Sequence, residues 1–221
     1  LLQMFVDSIN AQNADMVVFT GDLQNREPQE IYPFLDVLGS LKSKDGVFSV
    51  IGNHDYADYI EASPAVKAAN ERETRELEKR MGWQLLVNEH RVVKRGGDSI
   101  VVAGMDNDGD GRKFPQNGDV NKTLHGVSDS AFIVMLEHDP TSWRRKILPQ
   151  SKAQLTLSGH THAMQFMLGG WSPVAFVYDE WGGMYYESGR AMNVSTGVGG
   201  FIPFRFGVPG EIVVIELRIR N

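Results

Sequence analysis

Four short apolar runs in this 221-residue chain each stop at residues able to hold a metal ion. Residues 16–20 (MVVFT) are followed by Gly21 and Asp22, and residues 47–51 (VFSVI) by Gly52, Asn53, His54 and Asp55. Residues 132–136 (FIVML) lead into Glu137, His138, Asp139 and Pro140, and residues 155–158 (LTLS) into Gly159, His160, Thr161 and His162. Imidazoles combined with a carboxylate and a carboxamide suit Mn, Fe or Zn, and are too rich in nitrogen for a dedicated Mg or Ca cage. Each piece alone has a plainer use. Gly-Asp makes turns, Asn-His-Asp makes turns or caps, and His-Asp-Pro can start a helix with Asp139 as N-cap and Pro140 at the first helical position. Recurrence at four strand ends, taking in four of the six histidines, is what points to one site.

The elements that must position these residues follow from periodicity. The four runs are too short for helices and rich in β-branched and aromatic residues, so they read as strands buried on both faces. Ligand sites in open α/β sheets form beyond the carboxyl ends of strands, which would bring the four clusters to one edge. His160 and His162, two apart, would face one site together if that segment is extended. Residues 28–41 carry Ile31, Phe34, Leu35 and Leu38 at helical spacing, and residues 65–81 form a charged helix with a solvated face. Further strands are expected in residues 85–88, 91–95 and 99–104, and in the C-terminal runs VAFVY, GMYYES, AMNVST and EIVVIELRI. Two packed sheets flanked by helices is the economical arrangement.

Composition narrows the function classes. A net charge of −6 with scattered basic residues argues against a nucleic-acid surface. No apolar run approaches the roughly 20 residues of a membrane-spanning helix. The absence of cysteine removes thiolate zinc sites and cysteine nucleophiles. No linker divides the chain, so residues 1–221 read as a single domain. Leu1 is not an initiator Met, and Leu1, Leu2, Phe5, Val6 and Ile9 recur at helical spacing, so the sequence reads as starting within a helix of a longer product.

Gly21-Asp22, Gly52-Asn53-His54-Asp55, His138-Asp139-Pro140 and Gly159-His160-Thr161-His162 together resemble the calcineurin-like metallophosphoesterase superfamily. Residues 193–199, 203–207 and 211–213 look like its bacterial branch, often tethered to membranes. The resemblance implies an α/β fold, a four-layer α/β/β/α sandwich, and two divalent metal ions, Mn, Fe or Zn. Asp22 would bridge them, with Asn53, His138 and His160 completing one site and His162 belonging to the other. His54 would be catalytic, close to the substrate, with Asp55 orienting it. The activity implied is hydrolysis of a phosphoester, a phosphodiester or pyrophosphate linkage favoured, by in-line attack of a hydroxide shared by the metals. The substrate would be a small phosphorylated molecule, nucleotide- or lipid-linked, and a membrane tether would lie upstream in a bacterial protein.

The sequence departs from the family at one point. The family's first motif, Asp-x-His, is absent, and its strand would precede Leu1, leaving the domain N-terminally truncated. One metal is then expected to bind this chain well, and the sheet to show a gap or an edge. The alternative reading is a non-catalytic metal-binding scaffold of the same fold, or a truncated inactive form. Residues 106–111 (DNDGDG) match the first half of a calcium loop, but Asn117 stands at position twelve, where a Glu is required, so they read as an exposed acidic loop near the metal edge. Trp171, Tyr178, Trp181, Tyr185 and Tyr186 read as core aromatics, or as an active-site wall meeting an apolar part of the substrate. Arg205 reads as a phosphate contact or a structural ion pair.

Overall fold

A computed structural model describes residues 1–111 and 114–218. Its helices are α1 (Leu2–Ala11), α2 (Leu35–Leu38), α3 (Pro64–Arg80), α4 (Val120–Thr123) and α5 (Leu148–Gln150). Its strands are β1 (Val17–Phe19), β2 (Val47–Ser49), β3 (Gln84–Leu85), β4 (Glu89–Arg95), β5 (Asp98–Gly104), β6 (Phe132–Leu136), β7 (Leu155–Ser158), β8 (Gly183–Glu187) and β9 (Arg190–Val194). They form a parallel sheet ordered β1-β2-β3 and a mixed six-stranded sheet ordered β4-β5-β6-β7-β9-β8.

Alternation along the strands decides how these sheets stack. Phe48, Val50 and Leu86 from the small sheet meet Val102, Val134, Leu136 and Leu155 from the large one, closing an inner core between two β layers. Val47 and Trp83 face the other way and pack with Leu35, Leu38 and Leu41. On the far side of the large sheet, Val101, Ala103, Ile133 and Met135 pack against Trp143 and Ile147, whose π-helical turn (Trp143–Ile147) runs into α5. The order is therefore helix, sheet, sheet, helix, the four-layer sandwich expected.

Several local expectations change. Residues 28–41 form two 3-10 turns and the short α2 instead of one helix, with Pro33 inside the second turn removing a backbone donor. The VAFVY run is largely a 3-10 turn (Pro173–Phe176) headed by Ser172, whose hydroxyl accepts from Val174 N. Of EIVVIELRI, residues 211–218 carry no strand and residue 219 lies outside the described residues. β1 is only half-buried, not sealed on both faces. It is the edge of its sheet, pairing on one side with β2 and, among the described residues, with no strand on the other. Helix α3 matches its expected span, but Thr74 and Glu78 on it are fully buried, so its polar residues are not all solvated.

Candidate metal centre

The parallel register places the ends of β1, β2, β6 and β7 side by side, and the loops that leave them meet. Two glycines make that meeting close. A Cβ on Gly52 would lie 2.2 Å from Asp22 Oδ1, and one on Gly21 would lie 2.6 Å from Gly52 N and 2.7 Å from His138 Nδ1. Only hydrogen at those positions lets the first two loops and His138 share the space.

Asp22, His138 and His160 each bring a ligand atom within 4.8 Å of the others. His138 Nε2 lies 3.1 Å from Asp22 Oδ2 and 3.2 Å from His160 Nδ1, and His160 Nδ1 lies 2.7 Å from Asn53 Oδ1. The far nitrogens are already engaged. His138 Nδ1 is 2.6 Å from Thr20 O, which can only accept, so in the neutral ring Nδ1 carries the proton and Nε2 offers a lone pair. His160 Nε2 is 2.8 Å from the Tyr178 hydroxyl. Asn53 donates through Nδ2 to the Tyr59 hydroxyl at 2.7 Å, which turns its Oδ1 toward the cluster. A carboxylate oxygen, a carboxamide oxygen and two imidazole nitrogens thus converge, and the protons that join them here are what a cation would replace.

The electrostatics agree with that demand. Burial by itself disfavours the Asp22 carboxylate, but the adjoining His138 ring outweighs burial and holds the carboxyl well below its ordinary range. Burial also disfavours charge on His138, and Asp22 outweighs it, carrying the ring up to about 9. His160 moves down to about 4, because burial and the His138 charge both oppose a second proton. Positive charge is held at the middle of the cluster, where a divalent ion would take the proton's place. Asp139 Oδ2 is buried, has no hydrogen-bond partner, and lies 3.5 Å from His160 Nε2.

His162 stands outside the tight cluster, with Nδ1 3.4 Å from Thr196 O. Both it and His160 lie near enough to Asp22 for the carboxylate to oppose the lowering that burial imposes on them. The expected extended His-x-His does not form. β7 ends at Ser158, and His160 and His162 adopt left-handed conformations, with φ of 70° and 48°. Asp22, at φ 61°, does the same. Asp and His tolerate that region better than most residues, and three such positions in one site mark stored strain.

His54 is held differently from expectation. Asp55 does not orient it. Its Oδ2 accepts from the backbone N–H groups of Asp22 (2.8 Å) and Gly52 (2.9 Å), and Oδ1 from Leu23 (2.8 Å), so it laces the first two loops together. Burial and the Asp22 charge push the Asp55 carboxyl up to about 6, against the lowering effect of those amides. His54 Nδ1 instead donates to Asn25 O at 2.6 Å, and Tyr59 stacks on the ring with 4.3 Å between centroids. Asn25, Tyr59 and Tyr178 belong to no repeating pattern in the sequence, and only folding brings them to the site.

The neighbouring segments also differ from what the sequence suggests. Asp106, Asn107 and Asp108 are buried, not an exposed acidic loop. Asp108 sits between Arg145 Nη2 (2.9 Å) and Lys146 Nζ (2.6 Å), which leaves it engaged by cations of the chain itself and unsuited to calcium. Phe114, past this loop, meets His160 edge-on at 5.1 Å. Asp139 opens the turn as anticipated, accepting from Thr141 N at 2.9 Å, but the helical segment it precedes takes Ser142 as N-cap. Arg205 donates to the backbone carbonyls of Thr196 (2.8 Å) and Gly199, and among the described residues it forms no ion pair, so the structural salt bridge is not seen. Of the aromatics, Tyr178 and Trp181 pack around Ala163, Val174 and Val208, whereas Trp171 and Tyr186 are exposed.

A family model described as calcineurin-like phosphoesterase matches residues 1–164. The chain belongs to that family. Its members are named as hydrolases of phosphoester bonds, and the family implies divalent metal ions, for which Asp22, His138 and His160 form a candidate site. This calcineurin-like chain is 33% identical over 227 residues to a zebrafish (Danio rerio) transmembrane protein with metallophosphoesterase domain, covering 98% of this chain and 49% of the relative. It thus spans about half the length of that relative. It is 24% identical over 261 residues to the UDP-2,3-diacylglucosamine pyrophosphatase LpxG of Chlamydia trachomatis, covering 94% of this chain and 75% of LpxG. The fold is similar to that of the sulfate thiohydrolase SoxB of Thermus thermophilus, with a TM-score of 0.54 at 12% identity over 87% of this chain and 36% of SoxB. Among the described residues, no helix is long and apolar enough to cross a membrane.

Proposed function

We propose that the protein is a metal-dependent phosphohydrolase that cleaves a phosphodiester or pyrophosphate linkage of a small phosphorylated substrate. The observation that carries this reading is the convergence of Asn53 Oδ1, Asp22 Oδ2, His138 Nε2 and His160 Nδ1, with their outer atoms held by neighbours. Asp22, Asn53, His138 and His160 would hold one ion, and His162 would contribute to a second. Mn, Fe or Zn fits this donor set. When bound, such ions supply an acidified water and neutralise phosphoryl charge.

The chain's own residues account for the rest. His54, with Nδ1 committed to Asn25 O, has only Nε2 free, and that atom would donate to a phosphoryl or leaving oxygen as charge builds there. Tyr59 keeps the ring in that attitude by stacking. A scaffold has no need for an imidazole so held, which favours an enzyme over a metal-binding scaffold of the same fold. The resemblance to a pyrophosphatase supports the choice of linkage.

The test is to load the full-length protein with Mn, Fe or Zn and measure release of p-nitrophenolate from bis-p-nitrophenyl phosphate and from p-nitrophenyl phosphate. Turnover of the diester that disappears in His138→Ala and falls by about 10²-fold or more in His54→Ala is expected. Binding of metal with no turnover of phosphate esters or of pyrophosphate diesters would leave the scaffold reading instead.

A further inference from the structure

Beside the metal centre, two loops display large apolar side chains to solvent. Phe176 is 83% exposed, Leu168 64% and Phe201 58%. Single exposed apolar residues are ordinary, but several on adjoining loops mark a binding surface. The sequence keeps charge away from them. Residues 163–178 and 191–204 contain no Asp, Glu, Lys or Arg, and Arg205 turns its guanidinium inward to Thr196 and Gly199.

These loops are built, not loose. Gln165 is buried and donates through Nε2 to Ile202 O (2.8 Å) and Phe204 O (2.7 Å), while its Oε1 accepts from Ile202 N (3.0 Å). Phe166 and Phe206 bridge the loops by backbone hydrogen bonds on either side and stack at 5.2 Å. Trp171 packs edge-on against Phe176 at 5.8 Å. A buried glutamine spending three hydrogen bonds to hold apolar side chains outward indicates that their exposure is maintained.

The rim is continuous with the site. The first loop starts at His162 and ends at Tyr178, whose hydroxyl touches His160, and the Phe201 ring lies 6.2 Å from that of His54. Whatever carries a phosphate to the metals therefore lies against this rim. We propose that the rim receives the long alkyl or acyl chains of the substrate, so that the protein acts on a phosphate linkage carried by a lipid at a bilayer surface. This rests on the phosphohydrolase reading and names its substrate class. A neutral apolar rim calls for hydrocarbon, not for an anionic headgroup.

The experiment compares two esters with the same reacting group, methyl p-nitrophenyl phosphate in solution and hexadecyl p-nitrophenyl phosphate in dioleoylphosphatidylcholine vesicles, using the full-length metal-loaded protein. In both, water adds to phosphorus and the bond to p-nitrophenolate breaks. The wild type is expected to prefer the hexadecyl ester by about tenfold or more in kcat/KM. Phe176→Asp and Leu168→Asp should bring that ratio toward one and leave methyl ester turnover unchanged. Independently of activity, vesicles of brominated phosphatidylcholine should quench emission from Trp171, and Trp171→Phe should lose that quenching. A ratio that is the same in wild type and rim variants, with no quenching, overturns the proposal, as does a rim-dependent dimer in sedimentation, which would assign the surface to a second copy. Quenching without hydrolysis of either ester leaves the lipid seat standing and removes the phosphohydrolase reading.

Discussion

Tyr59 lies almost flat on His54, with ring centroids 4.3 Å apart and planes 19° apart, and its hydroxyl accepts from the Asn53 side chain. One side chain six residues beyond Asn53 therefore sets both the face of a candidate metal ligand and the plane of the candidate catalytic imidazole. Tyr59→Phe keeps the stack and releases the carboxamide. It should weaken metal binding by several-fold to about tenfold, with a smaller effect on kcat. Tyr59→Ala should lower kcat further. Chelator competition and steady-state kinetics separate the two; a Phe variant with unaltered metal affinity would show that the hydroxyl does not hold Asn53.

Gly52 gives a steric prediction. Its Cβ would fall 2.2 Å from Asp22 Oδ1 and 2.5 Å from Asp22 N, so Gly52→Ala must displace the carboxylate or the loop. Activity should drop by about 10²-fold, in keeping with a misplacement on the order of 1 Å at a reacting site. Gly97→Ala, in the β4-β5 turn with nothing within 4 Å of its Cβ, is the control and should be close to wild type. Equal activities would show that the first two loops are not tightly docked.

Metal stoichiometry follows from the position of His162. The tight cluster gathers Asp22, His138 and His160 and leaves His162 aside, so the 221-residue chain should hold one equivalent of Mn or Zn firmly. Elemental analysis after desalting that finds two equivalents would refute this. Saturating metal at 100 times its Kd adds about 2.7 kcal/mol, so a chelator should lower Tm by about 5–10 °C. His138→Ala should abolish that difference.

Glu78 should make stability fall as pH rises. It is buried beneath the small sheet, accepts from Ser49 Oγ, and its other oxygen has no partner. Burial, with the charge of Asp55, pushes its carboxyl up to about 8 from 4.5. The folded chain therefore keeps the proton between those values while the unfolded chain releases it. Folding binds protons in that window, and stability is lost as pH climbs from about 4.5 to 8, by on the order of 2–4 kcal/mol. Glu78→Gln cannot ionise and should flatten this slope. Urea titrations from pH 5 to 8.5 that show the same slope in both proteins would place the titration elsewhere.

How much was readable before folding depended on whether a residue announced itself locally. The four strand-end clusters did so because a buried β run that stops in Gly, Asp, Asn or His contrasts sharply with its own apolar pattern, and a parallel sheet then has to align those ends. The layered fold was legible for the same reason. EIVVIELRI shows the limit. Its composition favours a strand, but strands exist by pairing, and residues 211–218 pair with none among the described residues.

The sequence by itself determined which residues could do chemistry and at which ends of which strands they stand. Asp22, Asn53, His54, His138, His160 and His162 stand out as candidates by local pattern. Tertiary structure alone decided which nitrogen of each ring faces inward, because that is set by Thr20 O, Asn25 O and Tyr178, contributed by distant loops. It also decided that Asp55 ties loops together instead of orienting His54, and that Asp108 is neutralised by Arg145 and Lys146. The physical reason is one of range. Hydrophobic periodicity is written every two to four residues, whereas a hydrogen bond or ion pair is satisfied by whatever partner folding brings within about 3 Å, at any separation along the chain.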